Sequence, residues 1–188
     1  MTQPNYVLAG TNCDPPADWL SWIIEGQLLA GPYPGSSNPQ EHRTKIQTLV
    51  DARITTIINL MEDPELVRFA PYEATVRELT AEQVRFLQFP IHDVSVPTLE
   101  LMASILDAID ESLRQRSPVY MHCWGGVGRT GTVIGCWLLR HGLATPDDVL
   151  AKLARLRKQD KVRGKREAPE TPEQRQFVRA WATVEFRR

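Results

Sequence analysis

The stretch that most restricts the fold is residues 119–139, VYMHCWGGVGRTGTVIGCWLL. It reads as a short apolar strand, a glycine-rich loop and an apolar helix. A strand and a helix this apolar call for burial, which places them inside a layered molecule. Cys123 and Arg129 stand at the two ends of the loop, with Gly125, Gly126 and Gly128 between them.

The other segments supply the layers. WIIEGQLLAGPYPGSSNP reads as two short strands joined at Glu25-Gly26, followed by a Gly/Pro/Ser loop. Residues 39–54 have spaced apolar positions and predict a helix; ITTIINLM is β-branched and predicts a buried strand. Residues 65–82 read as helical with a break at Pro71, and VRFLQFPI as another strand. From Thr98 to about Arg116, Leu101, Ile105, Leu106, Ile109 and Leu113 recur at helical spacing, with Thr98 where an N-cap belongs. Residues 145–159 predict a capped amphipathic helix, residues 160–170 a polar loop, and residues 171–186 a last helix. Strands alternating with helices imply an α/β fold whose central sheet is mostly parallel and flanked by helices. The 188 residues suit one domain, assigned to 19–188, behind an irregular Pro/Asn/Asp-rich arm at 1–18.

The loop suits an anion. In open α/β sheets ligands bind beyond the C-terminal ends of the strands, where helices begin. A helix N-terminus offers unpaired N–H groups and partial positive charge, and glycines let successive amides turn inward as a nest. Arg129 adds a planar fork that holds two phosphate oxygens. The field that favours phosphate also favours a thiolate at Cys123, an in-line nucleophile beneath a bound phosphoryl group. Thr130 is placed to donate its hydroxyl to that sulfur and ease its departure. Cys136, within the apolar helix, is read as inert core, and Cys13 has no evident partner.

HCWGGVGRTG resembles the His-Cys-x5-Arg-Ser/Thr-Gly signature of the cysteine-dependent tyrosine and dual-specificity phosphatases. The resemblance implies Cys123 as nucleophile and Arg129 as phosphate clamp, with Trp124, Gly125, Gly126, Val127, Gly128 and Arg129 lending the cradle amides. It implies that His122 braces the loop from beneath. FPIHDVSVP, ending a predicted strand thirty residues upstream, resembles the general-acid loop of these enzymes and puts Asp93 in the acid position. His92 beside it is read as an exposed loop histidine. ETPEQRQF resembles the segment that places the hydrolytic water; Gln174 matches its second glutamine, while Glu170 stands where the first would be. The short acid segment and the Arg-Thr-Gly ending are closer to the compact dual-specificity group, and the first strands resemble those of small bacterial members. Glu62 and Asp63 either line the pocket or are strand-end turn residues.

The substrate expected from this resemblance is a phosphorylated protein or peptide. The loop interior carries no charge, which favours one phosphate, such as phosphotyrosine, over a polyphosphorylated inositide. Trp124 is either an apolar wall for an aromatic ring or core. Phosphoserine and phosphothreonine stay open. The alternatives are a nonprotein ester (inositol phosphate, phospholipid headgroup, RNA 5′-phosphate) and a catalytically dead phosphate-binding module. Arg155, Arg157, Lys158, Lys161, Arg163, Lys165 and Arg166 form either a solvated face or a patch that draws acidic partners.

A net charge of -1, from 22 basic and 23 acidic side chains, argues against a general nucleic-acid binder. No segment is long and apolar enough to span a bilayer, and no basic-then-apolar leader opens the chain. Three widely spaced cysteines make neither a disulfide framework nor a zinc pair. The expectations are therefore no metal, no cofactor, no membrane and a cytoplasmic location.

Overall fold

The structure is a computed structural model that describes residues 6–10 and 13–185. A five-stranded sheet runs through it in the order β1-β2-β5-β3-β4. The strands are β1 (Ser21–Ile24), β2 (Leu28–Gly31), β3 (Thr56–Asn59), β4 (Arg85–Gln88) and β5 (Val119–His122). Only β1 and β2 are antiparallel; they form the hairpin expected at Glu25-Gly26, where Gly26 takes a φ of 68°. β2, β5, β3 and β4 run parallel, with Val119–His122 in register against Leu28–Gly31 on one side and Thr56–Asn59 on the other. β5 is thus central, and every one of its residues is buried. The outer edge at β1 is covered by the Gln159 amide, which gives a hydrogen to the Trp22 carbonyl (2.9 Å) and accepts the Trp22 N–H (3.1 Å).

The helices are α1 (Pro39–Asp51), α2 (Asp63–Leu66), α3 (Glu73–Leu79), α4 (Leu99–Arg114), α5 (Gly128–Arg140), α6 (Val149–Arg157) and α7 (Pro172–Glu185). α5 is buried from Gly128 to Leu138, as its composition requires, and α4, α6 and α7 pack around it. A Cβ on Gly135 would lie 2.6 Å from a Val178 methyl, so α7 approaches α5 at a distance only glycine allows. Thr98 caps α4 by accepting the Leu101 N–H at 3.2 Å, and Met102, Ile105, Leu106, Ile109 and Leu113 are its buried stripe.

Residues 65–82 break at Pro71 as read, into α2, which ends at Leu66, and α3, which starts at Glu73. One boundary differs from the sequence pattern. Thr145 and Asp148 cap each other (2.7 and 3.3 Å) and hold residues 145–148 as a turn, so α6 begins later than its apolar spacing predicts. The arm at 1–18 includes residues 1–5 and 11–12, which lie outside the described residues. Where described, it packs on the domain: Tyr6 meets the rings of Trp137 and His141, and the Ala9 N–H bonds the Ile23 carbonyl. Among the described residues no helix is long and apolar enough to cross a membrane.

Candidate active site

The loop at the C-terminal end of β5 is a nest built by spending its carbonyls outward. The Trp124 carbonyl accepts the Tyr33 N–H (2.9 Å), the Gly126 carbonyl accepts Arg157 Nη1 (2.7 Å), and the Gly128 carbonyl accepts the Thr132 hydroxyl (2.9 Å). The first amide to join the α5 ladder is that of Gly131, on the Val127 carbonyl at 3.1 Å, so the amides of 124–130 precede it. Gly126 has a φ of 67°, and a Cβ there would come within 2.5 Å of the Gly31 carbonyl. Only glycine brings the loop this close to β2. Arg157, one of the seven basic residues of the 155–166 stretch, is therefore not on a solvated face: it is buried and braces the loop, with Nη2 on the Arg163 carbonyl at 3.0 Å.

Beneath the nest, His122 is fully buried, with Nε2 2.8 Å from the Tyr72 hydroxyl and Nδ1 3.2 Å from the Cys123 carbonyl. Burial drives its pKa down to about 3, and the Arg129 charge pushes the same way. His122 is therefore neutral, with Nδ1–H donating to the Cys123 carbonyl and Nε2 accepting from Tyr72, whose phenol burial keeps protonated. That bond ties the start of the loop to the buried end of β5.

Cys123 opens into a cavity of about 370 Å³ that is also lined by Asp93, Val94, Trp124, Arg129, Arg163 and Glu170. The structure thus brings Cys123, Arg129 and Asp93 to one place, although thirty residues and a helix separate the acid from the nucleophile. Arg129 is the hub. Its Nη2 lies 3.0 Å from Asp93 Oδ1, and its Nη1 donates to the Ile91 carbonyl at 3.1 Å. A bidentate pair with Glu65, at 2.6 and 2.9 Å, fixes the plane of the fork. Burial works against a charged Glu65, but the Arg129 bonds and the Glu62 amide outweigh it and hold the carboxyl below its usual range.

Glu65 is the site residue that sequence reading missed. Glu62 and Asp63, read as pocket-lining or strand-end turn residues, line a separate cleft with Gln88 and Pro90. The available signal was a capping box: Glu65 reaches back to the Glu62 N–H at 2.9 Å at the start of α2, which aims its carboxylate at Arg129. His92 is exposed, as read, and pairs with Glu62 at 2.9 Å.

Trp124 is not core: it is 55% exposed, lines the cavity, and its ring meets Phe69 edge-on. Thr130 is buried, and its hydroxyl has no hydrogen-bond partner among the described residues. Gln174 is fully buried against Gly128, and Glu170, ion-paired to Arg166 at 2.6 Å, faces the same glycine. Among the described residues no group of three His, Cys, Asp or Glu side chains is placed to hold a metal ion.

Comparison with known proteins matches this arrangement. The family model described as the DSP-PTPase phosphatase domain of Swiss Army Knife proteins (PTP-SAK) matches residues 17–178. The human dual specificity protein phosphatase CDC14C is 28% identical over 144 residues, covering 70% of this chain and 28% of the relative. An uncharacterized protein of Methanocaldococcus jannaschii is 40% identical over 60 residues, covering 32% of this chain and 38% of its own. The chain thus spans well under half the length of these relatives. Among solved structures, Tk-PTP in its active form superposes with a TM-score of 0.67 at 25% identity, over 88% of this chain and 97% of that one. Pseudomonas aeruginosa TpbA in complex with phosphotyrosine superposes with 0.62 at 18% identity over 99% of each chain; PTPMT1 in complex with PI(5)P does so with 0.70 at 18% over 90% and 97%. The last two share the fold. A family model that spans the sheet, the nest, the acid loop and the first half of α7 leaves one assignment: this chain belongs to the dual-specificity branch of the cysteine-dependent protein tyrosine phosphatases.

Proposed function

We propose that the chain hydrolyses phosphomonoesters on protein, with phosphotyrosine as the preferred group, through a cysteinyl-phosphate intermediate. The observation that carries this reading is the convergence of Asp93, Arg129 and Cys123 on one cavity, with Asp93 Oδ1 3.0 Å from the clamp. A phosphate dianion entering the nest meets the loop amides and takes over the Nη2 that now holds Asp93, freeing the carboxyl to face the leaving oxygen. The Cys123 thiolate forms the S–P bond as the P–O bond to the leaving group breaks, and Asp93 gives that oxygen its proton. Water then attacks phosphorus and gives its proton back to Asp93; the S–P bond breaks and returns the thiolate, and the Thr130 hydroxyl, unpartnered among the described residues, turns to receive it. Arg129 holds the equatorial oxygens through both steps.

Two features support phosphotyrosine. The Trp124–Phe69 wall suits a ring, and the loop interior is uncharged. Arg163, which lines the cavity and makes no side-chain hydrogen bond or ion pair among the described residues, is offered to an acidic neighbour of the phosphorylated residue. The test is phosphate release from phosphotyrosine peptide, phosphoserine peptide, inositol phosphates and 5′-phosphorylated RNA. Release should be fastest from phosphotyrosine peptide, and Cys123→Ser should abolish turnover while still binding that peptide. Release from inositol phosphate or RNA alone would move the assignment to a nonprotein substrate, and binding with no burst of product in the unaltered chain would make it a phosphate-binding module.

A further inference from the structure

The acid loop is held differently on its two sides. Upstream of Asp93, the Ile91 N–H bonds the Leu60 carbonyl (3.1 Å), the Ile91 carbonyl accepts from Arg129, and His92 pairs with Glu62. Downstream, among the described residues, a single hydrogen bond ties residues 94–97 to another element: Gln174 Nε2 donates to the Ser95 carbonyl at 3.0 Å. Between these anchors the chain turns, with the Ser95 N–H on the His92 carbonyl at 3.2 Å. That turn needs Val94 at a φ of 54°. A β-branched residue resists this left-handed conformation, and Val94 is 57% exposed, so its own packing does not hold it there. Something has to keep the turn closed from outside.

Gln174 is built for that. It lies in the first turn of α7, fully buried, 79 residues from Ser95. Its Oε1 accepts the Glu170 and Thr171 N–H groups at 3.1 and 3.2 Å, which uses both lone pairs and locks the amide with its nitrogen toward the acid loop. The amide also rests on Gly128, where a Cβ would come within 3.0 Å of Oε1. One side chain therefore touches the first residue of the nest helix and the far side of the acid turn. Both oxygen lone pairs and one Nε2 hydrogen are committed, so the amide acts mainly on the protein and little on a water.

We propose that Gln174 is a positioning residue that latches the acid loop over the nest and so places Asp93 against the leaving oxygen. This rests on Asp93 being the acid, and the experiment separates the two. Hydrolysis of a nitrophenyl phosphate, whose leaving group needs little protonation, is compared with that of phenyl phosphate, which needs much. The variants are Gln174→Met, matched in length without hydrogen bonds, and Gln174→Glu, which keeps the acceptor for both amides and gives up the donor to Ser95. Inhibition by inorganic phosphate and the melting temperature report whether the nest and fold are intact. Each variant should lose about 10-fold or more in kcat/KM on phenyl phosphate and far less on the nitrophenyl ester, a part of the ~10²–10⁴-fold that a positioned acid supplies. In an Asp93→Asn background, Gln174→Met should cost less than about 2-fold, because its target is already gone. Equal losses on both esters, or full multiplication with Asp93→Asn, would overturn the latch. If Asp93→Asn itself slows both esters equally, the acid assignment fails instead.

Discussion

Arg129 shows how much one buried cation asks of its surroundings. Its side chain is 1% exposed and meets three oxygen-bearing groups before any phosphate arrives: Glu65, Asp93 and the Ile91 carbonyl. Burial alone would depress the charged form, but the Glu65 pair and the facing Cys123 and Asp93 more than offset it. The two carboxylates are held differently. Glu65 grips both terminal nitrogens and sets the plane of the fork, while Asp93 holds one nitrogen, which in the proposed reaction it yields to substrate. Glu65→Ala should therefore remove a partner from a buried charge and cost about 2–3 kcal/mol in urea unfolding. Phosphate should raise the melting temperature of that variant more than that of the parent, since the anion replaces the missing carboxylate. A change of less than ~0.5 kcal/mol would mean that Asp93 alone suffices.

At the scale of elements, β5 and the N-cap of α3 are joined through His122 and Tyr72, and the join has a pH signature. His122 in the unfolded chain gains its proton near 6.5, whereas in the folded chain it does so only near 3. Below about 6.5 the unfolded state therefore binds the extra proton. The stabilisation is complete above that pH and declines as pH falls toward 3. Between about 6.5 and 5 the carboxylates hardly titrate, so that window belongs to histidine. The unfolding free energy should fall across it, and in His122→Gln this part of the fall should flatten. An unchanged slope in the variant would assign the effect to other groups. The acid loop illustrates the same scale in another way: the strain at Val94 and the latch from α7 are properties of two elements meeting, and neither is a property of FPIHDVSVP by itself.

For the whole molecule, the 155–166 stretch divides by what the fold places behind it. Arg157 is turned inward to brace the nest, and burial lowers its pKa. Lys161 pairs with Asp18 at the surface, and Arg166 with Glu170. Arg163 lines the catalytic cavity and, among the described residues, its side chain makes no hydrogen bond or ion pair. Arg163→Ala should raise KM several-fold for a phosphotyrosine peptide rich in acidic residues and should affect a neutral peptide less, with the difference shrinking at high salt. Equal effects on both peptides would remove Arg163 as a contact to flanking residues.

Much of this site was legible in one line of sequence because its parts are local. A loop that must bend at Gly126, precede a helix and carry Cys123 and Arg129 writes all of these into ten consecutive residues, and Asp93 and Thr98 are marked by equally short contexts. Periodicity likewise placed the strands and helices, since burial on a strand or a helix face repeats at 2 or 3.6 residues. What the tertiary structure decided are the partnerships between distant segments. Glu65 was hidden because nothing within α2 requires a carboxylate to face an arginine 64 residues away. Arg157 has ordinary neighbours in sequence, and Gln174, though marked by ETPEQRQF, gets its partners at Ser95 and Gly128 only from α7 lying against α5 and the acid loop. Local chemistry depends on residues that are adjacent in the chain and can be read there; positioning depends on which surfaces are brought together when the core is buried, and that is settled only by packing.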